Sequence, residues 1–184
     1  FPEAEHRLLP NRQPVHKPTP TDSTHRLAML EACQPHFAPN VFVDTLDLTL
    51  QNPNTTLHSL QALRKLVGSQ RPLVWVMGDD VFRTIDTWGD WQALLLLSHF
   101  YILSRDSQDL PASLKIAMQP YLGHSPAFLL SPAGSIVMDM EFTPKPISAS
   151  QLRSRAAAGL PLHDLTPESV ADYILRKKLY CRAP

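Results

Sequence analysis

Five consecutive apolar residues, Leu73-Val74-Trp75-Val76-Met77, break off at Gly78-Asp79-Asp80, and this stretch restricts the possible fold more than any other in the chain. An apolar run of that length without polar alternation reads as a strand covered on both faces, the pattern of a parallel sheet. A second run, Phe100 to Leu103, follows a helix-like segment around Trp91 to Leu97 and closes at Ser104-Arg105. Strand, helix and strand at this spacing make a βαβ unit, because parallel strands need a crossover. Open sheets of this kind bind ligands outside the carboxyl ends of their strands, so Gly78, Asp80 and Arg105 become candidate binding residues.

The flanking sequence extends the same alternation. His6 to Leu9 reads as a short strand stopped by Pro10, which hands the chain to a proline-punctuated loop, Asn11 to Thr21, carrying Arg12, His16 and Lys17. Ser23 is placed to cap a helix with Leu27 and Leu30 at helical spacing and Arg26 near its first turn, ending before Pro35. Val41 to Asp44 reads as a strand. Pro53-Asn54-Thr55-Thr56 opens a helix in which Leu57, Leu60, Leu63 and Leu66 share a face, and Gly68 stops it. Between Asp106 and Ser135 the pattern weakens and suggests variable surface structure. Ile136 to Met140 reads as one more strand. Pro167 to Lys178 reads as a terminal helix with Val170, Tyr173 and Ile174 on one side.

A chain of 184 residues with 43% hydrophobic content predicts a single domain, residues 1–184, with a full apolar core. Seventeen basic residues against seventeen acidic ones leave no electrostatic case for a nucleic-acid partner, and an anionic ligand must be held by a local cluster. The longest apolar helical run, Ala93 to Leu97, is too short to span a membrane. Cys33 and Cys181 stand far apart in no metal-binding spacing, which suits a reducing cytoplasm.

A phosphate clamp can be read in Pro146 to Arg153. Ser148 or Ser150 can cap a helix of good formers running from Gln151 to Ala158, and Arg153 falls one turn in. Free N–H groups, the positive end of the helix dipole, hydroxyls and a guanidinium then converge on one spot, as anion binding requires. A capped surface helix is the plain alternative.

The order of these pieces resembles the nicotinate-nucleotide adenylyltransferase family of the nucleotidyltransferase superfamily. Leu9-Pro10-Asn11 with Pro14-Val15-His16-Lys17 is similar to its strand end and PPHK loop, Val15 replacing a proline. Ser23, Arg26 and Met29-Leu30 resemble its S..R..ML helix. Asp44 and Asp47 fall at its D..E positions. Asn54-Thr55-Thr56 with Leu60 matches its SYTxxTL pattern with the tyrosine lost. Gly78-Asp79-Asp80 resembles the GxD turn, Trp88 and Arg105 fall at family positions, and Ile147 to Arg153 resembles ISSTxIR. Leu165, Pro167, Val170, Tyr173, Ile174, Leu179 and Tyr180 resemble the family's ending.

The resemblance implies a Rossmann-like open parallel sheet with flanking helices and transfer of AMP from ATP to nicotinate mononucleotide, with Mg2+ accompanying ATP. It implies phosphate contacts for His16, Lys17, Ser148 and Arg153, and a nucleotide pocket with Gly78, Asp80 and Arg105. For the nicotinate group it implies the backbone N–H of Thr56 and the ring of Trp88. Each has a plainer reading: His16 as a loop histidine, Trp88 as packing, and Asp80 as the cap of the next helix. Asp44 and Asp47, at strand spacing, would point to opposite faces.

The family opens with a first strand and a GTFDPxHxGH loop around the reacting phosphates, and the match here starts after them. The expectation is therefore a sheet without its first strand, and a piece of a complete enzyme rather than a relative that has lost catalysis. On this expectation the 184 residues by themselves turn over little. The competing functions are a non-catalytic protein keeping the fold for binding or assembly, and a superfamily enzyme using another phosphate acceptor.

Overall fold

The computed structural model describes residues 1–12, 21–50, 55–88, 90–104, 109–123 and 126–181. In chain order the elements are β1 (His6–Leu8), α1 (Ser23–Cys33), β2 (Val41–Val43), α2 (Leu46–Thr49), α3 (Thr56–Val67), β3 (Val74–Gly78), α4 (Asp79–Phe82), α5 (Gln92–Leu95), β4 (His99–Leu103), α6 (Ala112–Met118), β5 (Ile136–Asp139), α7 (Ala149–Ala157) and α8 (Glu168–Arg176). They form two compact units, Phe1–Asn54 with Lys145–Pro184, and Thr55–Pro144. All described strand pairs are parallel, so the expected α/β class holds.

In the unit Thr55–Pro144 the sheet order is β3-β4-β5. Each crossover steps the same way across the sheet, and right-handed crossovers then place their helices on one face. Trp75, Met77, Phe100, Ile102, Ile136 and Met138 meet Phe82, Leu94, Leu95, Leu114 and Met118 there in one apolar cluster. The opposite face is less covered than the apolar run suggested: Val76 is 52% exposed. The stretch with the weakest pattern, 106–135, supplies α6, whose Leu114 and Met118 are buried. A helix of two turns shows its buried side in only two residues, too few for a periodic signal.

The amino ends of all three strands are tied by one side chain. The Arg64 guanidinium, on α3, donates to Gly68 O at 3.0 Å, Arg71 O at 2.7 Å and Pro132 O at 3.0 Å, and twice to Leu97 O, from Nε at 3.1 Å and from Nη2. These carbonyls lie just before β3, β4 and β5, or at the end of α3. Burial lowers the Arg64 pKa from its ordinary value. His99, fully buried at the start of β4, extends the tie: its Nδ1 accepts from Ser135 N at 3.1 Å and its Nε2 donates to Ser131 O at 2.9 Å. That pattern needs the neutral imidazole.

In the other unit β1 and β2 pair from His6 with Val41 to Leu8 with Val43. Helices α1 and α8 are joined by Ser169 Oγ to Ala32 O at 2.7 Å and by a 2.9 Å hydrogen bond between His25 Nδ1 and the Tyr173 hydroxyl. Ala156, Leu162, Val170, Ala171 and Ile174 form the core. The cap of α1 is Asp22, whose carboxylate accepts from Thr24 N at 2.8 Å, and not Ser23. Asp22 has the extended backbone a cap requires, whereas Ser23 is already helical. Asp44 and Asp47 do not share a strand: β2 ends at Val43, and Asp47 is buried in the first turn of α2.

Helices α7 and α8 end in the same motif. Gly159 N bonds Ala156 O while Leu160 N bonds Arg155 O, and Lys178 N bonds Leu175 O while Leu179 N bonds Ile174 O. The left-handed position holds Gly159 (φ 68°) in one and Lys178 (φ 51°) in the other. A lysine costs about 1 kcal/mol more than glycine there.

Two outcomes follow for stability. Arg64→Met leaves four carbonyls without their donors and should cost about 3 kcal/mol in urea unfolding. His99 has its folded pKa lowered, first by burial and further by the Arg64 charge. Its contribution is complete above an unfolded pKa of about 6.5. As pH falls below that value the unfolded chain takes up the proton first, so stability drops toward the folded pKa. Unfolding measured from pH 7.5 to 5 should show a shallower loss in His99→Gln than in the parent protein.

Candidate functional site

The carboxyl end of β3 is a turn. Gly78 ends the strand and caps α4, so Asp79 and Asp80 enter the first helical turn directly. Their fates differ. Asp79 is buried at 3% exposure, with Oδ2 3.4 Å from Arg83 Nη2, whereas Asp80 is exposed. Because Gly78 occupies the cap and makes no side-chain cap bond, Asp80 is not the helix cap its position suggested. Its carboxylate faces solvent beside the strand end. The strands stay in register at this end, Gly78 opposite Leu103 and Leu103 opposite Asp139. Arg105 lies outside the described residues.

Trp88 closes a 3-10 turn, Ile85–Thr87, through its N–H to Ile85 O at 3.0 Å. Its ring is half-buried against the apolar cluster, and the buried indole Nε1 has no hydrogen-bond partner among the described residues. The packing reading of Trp88 is therefore part of its role. Thr56 is the first helical residue of α3, where a backbone N–H has no acceptor within the helix. Thr55 is the cap, and its own N–H donates to His58 Nδ1 at 3.3 Å. Thr56, Gly78, Asp80 and Trp88 thus all belong to the unit Thr55–Pro144.

Ser148 and Arg153 belong to the other unit. Ser148 has the extended backbone of a cap (φ −128°, ψ 148°), and its Oγ accepts from Gln151 N at 3.1 Å. Ser150 instead receives Arg153 Nη2 at 3.0 Å, which holds the guanidinium over the first turn. Ser148 and Ser150 are exposed and Arg153 is half-buried. This helix end brings together backbone N–H groups, hydroxyls and a cation, donors of the kind that anions accept from. His16 and Lys17 lie outside the described residues. An open hollow lined by Glu5, Arg7, Phe42, Val43, Asp44 and Thr45 holds none of the predicted residues. Arg7 is already paired there, 2.5 Å from Glu5 and 2.6 Å from Asp44, and the Asp44 carboxylate raises its pKa.

Sequence reading missed the Asp79–Arg83 pair beneath the turn, although its spacing of four residues on a helix was a usable signal. It also missed what Arg26 does: its guanidinium donates to Thr21 O and Arg12 O, both at 2.9 Å.

Residues 1–155 match the family model described as cytidylyltransferase-like. Among curated proteins the chain is 34% identical to the "probable nicotinate-nucleotide adenylyltransferase" of Pseudomonas aeruginosa, covering 98% of this chain and 84% of that protein. It is 32% identical to the protein of the same name from Hydrogenovibrio crunogenus, over 96% of this chain and 83% of the relative. Among solved structures it is similar to the Plasmodium falciparum nicotinic acid mononucleotide adenylyltransferase complexed with NaAD. That likeness has a TM-score of 0.66 at 19% identity, covers 96% of this chain and 82% of the other, and concerns the fold.

Which serine caps α7 is open to direct test. Ser148→Ala should lower stability by about 1 kcal/mol, the worth of an N-cap, while Ser150→Ala should cost less. Thermal unfolding of the two variants compares them.

Proposed function

Because the chain belongs to the cytidylyltransferase-like family, and within it to the nicotinate-nucleotide adenylyltransferases, we propose that it makes nicotinate adenine dinucleotide and pyrophosphate from ATP and nicotinate mononucleotide. In that reaction a phosphate oxygen of the mononucleotide attacks the α-phosphorus of ATP, a new P–O bond forms, and the bond to the departing pyrophosphate breaks. No protein nucleophile takes part. The protein positions two polyanions and neutralises the charge that builds between them.

The observation that carries this reading for particular residues is the start of α7. Ser148 caps it and Arg153 is held by Ser150 at the same helix end, a ready seat for the ATP phosphates. His16 and Lys17 add phosphate contacts in this reading. Gly78 lets the nucleotide approach the strand end closely, Asp80 offers its exposed carboxylate to the nucleoside, and Arg105 follows the neighbouring strand. Thr56 gives its backbone N–H to the nicotinate carboxylate, and Trp88 presents its ring to the pyridine.

Among the described residues no three or more His, Cys, Asp or Glu side chains gather as a metal site. In this reading magnesium enters as part of the substrate, MgATP, bound to the triphosphate oxygens. Among the described residues no helix is long and apolar enough to cross a membrane. We place the reaction in the cytoplasm, where ATP is made available and where two free cysteines persist.

The test is an assay of the full-length gene product with MgATP and nicotinate mononucleotide, following pyrophosphate and dinucleotide together. Both should form in equal amounts, and Arg153→Met should lower kcat/KM by roughly 100-fold, the scale for losing a charged contact to a developing charge. Formation of neither product overturns the reading. Product from a different phosphate acceptor alone moves the chain to another reaction of the same superfamily.

A further inference from the structure

The first turn of α3 carries a histidine where an acceptor is needed. Thr55 is the cap and His58 stands three residues on, the position from which a side chain reaches back to the N–H of the cap residue. Here the acceptor is an imidazole. Thr55 N donates to His58 Nδ1 at 3.3 Å, and the Thr55 hydroxyl lies 3.2 Å from the same nitrogen. A ring nitrogen that accepts carries no proton, so the imidazole is neutral with its proton on Nε2. On its other side Thr55 is tied to the core. Its carbonyl accepts from Ser59 N at 3.2 Å and from Ser59 Oγ at 3.4 Å, and Ser59 is 1% exposed.

Both ties act on one peptide plane. The Thr55 carbonyl and the Thr56 N–H belong to the same planar trans peptide and point in opposite directions. A Thr55 carbonyl directed along the helix onto Ser59 therefore directs the Thr56 N–H out of the helix start. A first turn held only by its own helix bond frays, because the plane can still turn about the bonds at the Thr55 Cα. The bond from Thr55 N to His58 removes that freedom from the preceding side. Thr55 and His58 are both exposed, so packing does not replace it.

We propose that His58 is a positioning residue for the carboxylate of the pyridine substrate: by holding Thr55 it keeps the Thr56 N–H aimed outward as a fixed donor. The inference rests on the reading of Thr56 as the nicotinate contact. His58 touches no substrate group in it. A donor already fixed binds a carboxylate more tightly than a fraying one, since its ordering cost is met before the ligand arrives. The choice of imidazole has a reason as well. A glutamate at this position also accepts the cap N–H, but it sets a like charge beside the bound carboxylate, and the neutral ring does not.

The test compares the full-length gene product with its His58→Ala and His58→Gln variants. Alanine removes the acceptor, and glutamine restores a neutral one that reaches the cap N–H from the same position. His58 is exposed, so neither change touches the core. In the MgATP assay His58→Ala should raise KM for nicotinate mononucleotide roughly tenfold, the scale of one weakened charge-assisted hydrogen bond, with KM for ATP and kcat within about twofold of the parent. His58→Gln should stay within about threefold of the parent in every constant. Calorimetric titration with nicotinate mononucleotide alone should show the same pattern in Kd.

An equal rise in KM for both substrates in His58→Ala, or failure of His58→Gln to restore the parent values, overturns the proposal. If the parent makes no dinucleotide but binds the mononucleotide, and His58→Ala alone weakens that binding, the reaction assigned above fails and the positioning role stands. If the parent turns over and His58→Ala matches it in KM and Kd, the positioning role fails and the reaction stands. A parent that neither turns over nor binds the mononucleotide overturns both.

Discussion

The unit Thr55–Pro144 depends on how the backbone carbonyls at the amino end of its sheet are satisfied. Loops leading into a parallel sheet run close to the core, and a buried carbonyl without a donor costs about 1–3 kcal/mol. Arg64 answers four of them with one guanidinium. Arginine suits the place because it offers five donors in a rigid plane and no acceptor that would itself need a partner. His99 closes the same end with one donor and one acceptor. With the amino end tied in this way, the carboxyl end is left for polar turn residues, and Gly78, Asp79 and Asp80 stand there.

The same use of arginine recurs in the other unit. Arg26 holds Thr21 O and Arg12 O, and Arg155 holds Pro161 O together with the Asp164 carboxylate. Even the apparent cation of the β1–β2 face, Arg7, is neutralised between Glu5 and Asp44. Several of the seventeen basic residues are therefore structural, which alters the meaning of a balanced charge count. Among the described residues Arg153 differs from these three in resting on a serine hydroxyl rather than on carbonyls or carboxylates.

How much could be read beforehand depended on how local the cause was. The strands β3 and β4 were legible from apolar runs, α8 from its one-sided pattern, and the stop at Gly68 from a glycine at φ 82°. The end of β3 at Gly78-Asp79-Asp80 was legible, but the opposite burial of its two aspartates was not, because it follows from the path of the chain into α4. Choosing between neighbouring capping residues also failed locally. Asp22 and Ser23 are both good caps, and the backbone of Asp22 decided the matter. At α7 the choice fell to Ser148, since Ser150 was already inside the helix receiving Arg153.

The sequence by itself determined the parallel α/β class, the order of the pieces and the family, because apolar runs, glycine stops and motif order are properties of neighbours along the chain. The tertiary structure alone decided that one sheet face carries the core while Val76 lies open, since that depends on crossover direction. It alone decided that Arg64 serves the carbonyls of Leu97 and Pro132 and that Arg26 reaches the carbonyl of Arg12. A guanidinium in a sequence is only a cation, and what it neutralises or donates to is set by which backbone groups folding brings within 3 Å and away from water.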